Sequence, residues 1–312
     1  MRFVLSFMLY RAIASLCPHN TALLLNGLLR VRDIETIKGI VEQLQGSCLY
    51  IATYEKCRNV AEHFRRLHNN TKILYVPYMT VHRQKKNSLP MEFVSQEDIS
   101  SILKQSGDFS QSYMNTNITV TKYPNMKSGH QLSAINQWSS LHVLISKFSD
   151  ELSTKLKIIK SRSDVIVREK RTSSTPVYFK DFPVQKGVIY ADSDRVFSAT
   201  GSDFVRVFKD FFTVALDIYW KRPISVKEKV VNKVILSSYL NNTVYPNYNH
   251  LGCHPRGGQD PREPFGWARY PDYENNFAYH VLTNHLFKCS NFKDYEISLH
   301  VDRQSFFCSL LE

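Results

Sequence analysis

The chain predicts an α/β fold: a Rossmann-like, mixed and mainly parallel sheet flanked by helices. Three observations predict it. From Thr21 onward, short apolar runs alternate with segments of helical period. Two such strand–helix units fit between Thr21 and Val76 before Pro77 ends the third strand. With 312 residues, 43% hydrophobic and 22% charged, the composition is that of an ordinary globular protein. It excludes wholesale disorder, collagen and coiled coil, and suits about two domains or one large domain with an appendage.

The first strand is read at residues 22–25, and it stops abruptly at Asn26-Gly27. Asp33 caps a helix whose Ile34, Ile37, Val41 and Leu44 share one stripe. A strand at 48–53, a helix around Val60, Phe64 and Leu67, and a strand at 72–76 complete the second unit. Residues 79–95 are polar and interrupted, and read as a surface loop. Ser95 with Asp98 three residues on starts a short helix toward Leu103. Residues 107–124 are polar with a β-prone centre at 118–120, the segment expected to move most.

A long helix is expected over 131–148, with Trp138, Leu141, Ile145 and Phe148 on one stripe. It runs into an apolar strand at 156–160 that ends in Ser161-Arg162-Ser163-Asp164. Another strand, 188–190, leads to Asp192-Ser193-Asp194 and then Val196-Phe197. The helix after Ser202 aligns Phe204, Phe208, Phe211 and Ala215, so it should bury against the sheet. A last helix opens at Ser225 with Glu228, and beyond Tyr245 the pattern dissolves into Gly, Pro and aromatics. The chain therefore divides into an amino-terminal segment 1–20, a main domain 21–240 with halves 21–125 and 126–240, and a carboxy-terminal extension 241–312.

Charge adds a partner class. Forty Lys and Arg against 28 Asp and Glu give a net +12, so anionic company is expected. Residues 155–171 hold seven Lys or Arg against two acids, which reads either as a solvated face or as the basic lip of a phosphate site. The apolar run 3–10 is interrupted by Arg11, well short of the roughly 18 residues of a membrane span. It reads as a buried or interfacial segment rather than a cleaved signal. The six cysteines form no CxxC pair, so reduced thiols and a cytoplasmic location are expected, with peripheral contact to the inner face of a membrane allowed. Sequons at Asn69, Asn117 and Asn241 are no more than chance supplies, so they carry no compartment information at this level.

Ligands of open α/β sheets bind beyond the carboxyl ends of the strands, so acids at strand ends are the first candidates. Asp164 and the Asp192–Asp194 triplet are such acids, and hard oxygen ligands there suit Mn²⁺ or Mg²⁺. They read equally as turn or helix-cap acids. Asn26 and Gly27 with Arg30 and Arg32 form a second candidate: glycine lets backbone approach a phosphate, and an arginine fork binds two oxygens at once. A tight turn explains Gly27 as well. Neither GxGxxG nor a P-loop is present, which disfavours a dinucleotide and a P-loop NTPase. His250, Cys253, His254, His280, His285 and Cys289 lack zinc-site spacing, and read as loop and core residues.

Taken together, ALLLNGLLRVRDIETI, YIATYE, ILYVPY, HQLSAINQW leading to KIIKSRSDVIV, and YADSDRVFSATG resemble bacterial surface-polysaccharide glycosyltransferases, particularly the WavE-like lipopolysaccharide-synthesis family. The resemblance covers residues 21–240 and implies a GT-A-type fold, with 21–125 as the nucleotide-binding half and 126–240 as the metal and acceptor half. It implies a nucleotide-sugar donor, a glycan or lipid-linked acceptor, a divalent cation and no nucleic-acid partner. By position it carries nucleotide-sugar binding to Arg30, Thr53, Gln131 and Arg162, beside the Asn26 and Gly27 already read from the residues, a metal to Asp164, and catalysis to Asp194 and Glu228. Phe197 and Gly201 complete the pattern around Asp194.

Two departures stand out. The first strand ends in Asn-Gly where the family pattern has Gln-Gly-Pro, and Arg162-x-Asp164 supplies one carboxylate where a D-x-D supplies two. Arg162 can itself neutralise a diphosphate. Glu228 also fits a capping box opened by Ser225, and Asp203 fits a dipole-favoured acid in the first turn of its helix. The competing readings are a basic nucleic-acid-binding protein or metal nuclease, and a non-catalytic scaffold on the same fold. No nucleic-acid-binding motif supports the former.

Overall fold

The computed structural model describes residues 17, 19–30, 34–43, 46–86, 89–107, 118–119, 128–169, 182–192, 196–209, 212–213, 288–290 and 295–299. The expected βα units are there. β1 (Thr21–Asn26), α1 (Ile34–Gln43), β2 (Cys48–Thr53), a 3₁₀ turn at Glu55–Cys57, α2 (Arg58–Leu67) and β3 (Thr71–Tyr75) follow in order. β2 is buried end to end and β1 from Ala22 onward, as mostly apolar strands covered on both faces must be.

Residues 79–95 differ from the expected loop. They fold into an antiparallel hairpin of β4 (Val81–Lys86) and β5 (Leu89–Val94), to which β6 (Ile118–Thr119) adds. The charged His82-Arg83-Gln84-Lys85-Lys86 run hid the strand, because half-solvated strands carry little apolar signal. α3 (Gln96–Ser106) then starts where expected, its cap Ser95 accepting from the Asp98 amide at 3.1 Å.

α4 spans Ser128–Ser153 with non-helical backbone at Phe148. β7 (Lys157–Ser161), β8 (Val165–Glu169), β9 (Val188–Asp192), β10 (Val196–Ala199) and α5 (Gly201–Phe208) follow. Thr200 caps α5, and the Asp203 carboxylate accepts from the Gly187 amide at 2.8 Å and from the Thr200 hydroxyl at 2.6 Å. Asp203 is thus a structural acid. Within 241–312, β11 (Lys288–Ser290) joins the main sheet beside β9, and β12 (Tyr295–Leu299) pairs with β8. Two short strands are too little periodicity to be read from sequence alone.

Among the described residues the main sheet runs β11-β9-β10-β7-β1-β2-β3. β1, β2, β3 and β7 are parallel, and β10 is antiparallel to both of its neighbours. One face packs on α3, α4 and α5 through Trp138, Leu141, Ile145, Phe204 and Phe208, with the Trp138 and Phe208 rings stacked at 6.2 Å. The other face packs on α1 and α2 through Ile37, Val41, Val60 and Phe64. No helix among the described residues is long and apolar enough to cross a membrane.

The expectation of reduced thiols is overturned. Cys17 and Cys48 form a disulfide with their Cα atoms 6.0 Å apart, and Cys57 is disulfide-bonded too. Parallel pairing of β1 with β2 brings Ala22 beside Cys48, and so carries the segment before β1 within reach of it. That segment is fixed further by Lys155, whose ammonium donates to the carbonyls of Cys17 and His19 at 2.7 and 2.8 Å, and by Glu151, which accepts from the Cys17 amide. The bridge closes a loop of 31 residues. Chain-entropy arithmetic then gives about 3–4 kcal/mol. Cys17→Ser is expected to lower the urea midpoint and, because the denatured chain is freed to expand, to steepen the slope relative to the oxidised wild type.

Candidate functional site

β1 and β7 are parallel neighbours whose chains leave in opposite directions: β1 leads to β2 on one side, and the strand following beside β7 on the other side is β10. Such a switch point opens a crevice beyond the carboxyl ends of the two strands. Arg30 lies just past the end of β1, and Arg162 and Asp164 just past the end of β7. Register sets them level, since Leu25 pairs with Ser161.

There the side chains converge. Arg162 grips Asp164 with a fork, its Nε donating to Oδ1 at 2.9 Å and its terminal nitrogen to Oδ2 at 2.8 Å. The Arg30 guanidinium stands 3.7 Å from Asp164 Oδ2, an ion pair without hydrogen-bond geometry. The Asp164 side chain is 9% exposed, Arg30 17% and Arg162 26%, so Arg162 is the most accessible member. Burial alone would raise the Asp164 carboxyl. The Arg162 hydrogen bonds and charge, then the Arg30 charge and a backbone N–H, outweigh it and hold the group below its ordinary value. Asp164 is therefore an anion at neutral pH.

The loops carrying this cluster are tied together. Ser163 donates to the Leu28 carbonyl at 3.2 Å, Thr53 donates to the Gly27 carbonyl at 2.8 Å, and the Gly27 amide donates to Ala52. Gly27 has φ 95°, a left-handed turn that a side chain rarely adopts. Thr53 and Gly27 thus bind each other at the floor of the cluster. Asn26 turns its amide nitrogen to α4, donating to the Gln137 carbonyl at 2.7 Å and the Ser140 hydroxyl at 3.2 Å. Its buried Oδ1 has no hydrogen-bond partner among the described residues.

Of the residues singled out in sequence, Arg30, Arg162 and Asp164 meet in one cluster, while Asn26, Gly27 and Thr53 build its base. The Gln131 side chain, Asp194 and Glu228 lie outside the described residues. Asp192 ends β9 opposite Val196, which in turn pairs with Ser161, so both lie level with the end of β7. Lys160 was missed. It is wholly buried one residue from the end of β7, with Nζ 5.1 Å from the Phe197 ring centroid. Its signal was available: a lysine at an inward position of an apolar strand.

Asp164 does not fit a divalent cation as it stands. Both of its oxygens accept from Arg162, so a metal would have to displace a guanidinium, and no group of three metal-ligating side chains occurs among the described residues. The carboxylate expected to take a metal is thus engaged by two arginines. A groove at the amino end of β3, lined by Arg65, Thr71, Lys72 and Phe148 among others, is less suited to an anion because Lys72 is already ion-paired with Glu151 at 2.6 Å. No family model, no curated protein and no solved structure matches the chain.

Proposed function

We propose that the crevice beyond β1 and β7 binds the diphosphate of a nucleotide sugar, and that the protein transfers the sugar to a hydroxyl of a glycan or lipid-linked acceptor. One observation carries this reading: Arg30 and Arg162, from the segments that follow two different strands, converge on one buried carboxylate at the sheet's switch point. A diphosphate joins or exchanges with Asp164 as the partner of those guanidiniums, which bind planar pairs of oxygens. The mixed, mainly parallel sheet agrees with the GT-A-type arrangement that the sequence resemblance implies.

In the reaction the acceptor oxygen bonds to the anomeric carbon, the carbon–oxygen bond to the diphosphate breaks, and negative charge builds on the leaving group. Arginine charge meets that need without a metal at Asp164. The base that takes the acceptor proton is assigned, from the resemblance, to Asp194 or Glu228. The disulfides shift the proposed setting from the cytoplasm to an oxidising compartment.

A thermal-shift panel of UDP, GDP, CMP and dTDP compounds tests the reading. One nucleotide is expected to stabilise the protein by about 2.7 kcal/mol at a hundredfold excess over its Kd. The same stabilisation with Mn²⁺ and with EDTA is expected. Flat curves across the panel favour a scaffold or a nucleic-acid binder.

A further inference from the structure

We propose that Asn69 is an acceptor for an N-linked glycan. Of the three sequons in the sequence, Asn69 lies among the described residues, and Asn117 and Asn241 lie outside them. Asn69-Asn70-Thr71 forms the turn between α2 and β3, and the Asn69 side chain is exposed. Its neighbour Asn70 is engaged instead with the His19 imidazole at 3.0 Å, and the Thr71 hydroxyl donates to the His68 carbonyl at 2.6 Å. The sequon therefore presents its asparagine outward from an ordered turn.

A second, independent observation supplies the compartment. The bonded Cys17–Cys48 pair and the bonded Cys57 fit a chain that passes through an oxidising lumen, where asparagine-linked transfer occurs. In that step a glycan diphospholipid is the donor. The Asn69 Nδ2 bonds to the first sugar's anomeric carbon, the carbon–oxygen bond to the lipid diphosphate breaks, the diphosphate leaves with the electron pair, and the amide nitrogen gives up one proton.

The position suits a bulky group. Asn69 precedes the amino end of β3, and β3 is the last strand of the main sheet among the described residues. Thr71 pairs with Leu49 and Tyr75 with Thr53, so about 13 Å of strand separates the turn from the crevice edge. A glycan there leaves the arginine cluster open and shields an edge strand from pairing with other chains.

The full chain, expressed with its own amino terminus in animal cells and digested with trypsin, yields a peptide of residues 67–72 that isolates this sequon. The expected result is glycan on Asn69, converted to aspartate on enzymatic release, lost in Asn69→Gln and kept in Thr71→Ser. Asn69→Gln should bind nucleotide as the wild type does, so loss of the glycan and failure of the sugar-transfer reading are told apart. An unmodified Asn69 in protein whose Cys17 and Cys48 are bonded overturns the proposal, and an unmodified Asn69 in protein with free thiols overturns it together with its compartment.

Discussion

Asp164→Asn is expected to lower turnover about a hundredfold while the protein stays folded, because the arginines lose the anion that fixes their positions and small misplacements at a reacting centre have effects of that size. The comparison is kcat against KM for the wild type and the variant under the same conditions, with far-ultraviolet circular dichroism to check the fold. An unchanged kcat would make the cluster structural only. A nucleic-acid binder would instead bind more tightly after losing a negative charge.

The same substitution has a signed pH dependence. The folded-state carboxyl lies below its ordinary value. Its contribution to stability is therefore fully present above the unfolded value of about 3.9 and is lost as pH falls toward the lower folded value. The stability gap between wild type and Asp164→Asn, about 1–3 kcal/mol at neutral pH, should close on acidification. Melting temperatures taken from pH 7 down to pH 3 check this, and a gap that widened in acid would contradict the pairing.

Gly201→Ala is expected to be the most damaging single methyl in the described fold. Gly201 opens α5 where the helix abuts the chain between α4 and β7, and its amide donates to the Lys155 carbonyl at 2.9 Å. A Cβ there would overlap the Leu152 carbonyl oxygen and stand 2.7 Å from that of Lys155. Both obstacles are backbone, so no rotamer relieves them. A loss of about 3 kcal/mol and a fall in Tm on the order of 10 °C are expected by calorimetry. Gly39, whose Cβ would meet nothing within 4 Å, serves as the control.

The contrast between what was legible and what was not has a physical pattern. β1, β2 and β7 could be read because buried parallel strands are continuous apolar runs, and Ser95 because its capping chemistry is local. Arg30 and Asp164 could be paired in advance because strand ends in such sheets face one crevice. β4 and β5 were hidden by a charged face, and β11 by its three-residue length. The disulfide was missed because cysteine spacing says nothing about which strands pair. Asn26 and Thr53 were read as ligand contacts, and the structure adds hydrogen bonds to α4 and to the Gly27 turn that sequence does not reveal, since a polar residue at a strand end serves a neighbouring helix or turn as readily as a ligand.

The most direct test of the arginine crevice is a crystal structure with the nucleoside diphosphate that gives the largest thermal shift. The account predicts phosphate oxygens within hydrogen-bond distance of Arg30 and Arg162, beyond the carboxyl ends of β1 and β7. A nucleotide bound elsewhere, with the two guanidiniums still closed on Asp164, would contradict it.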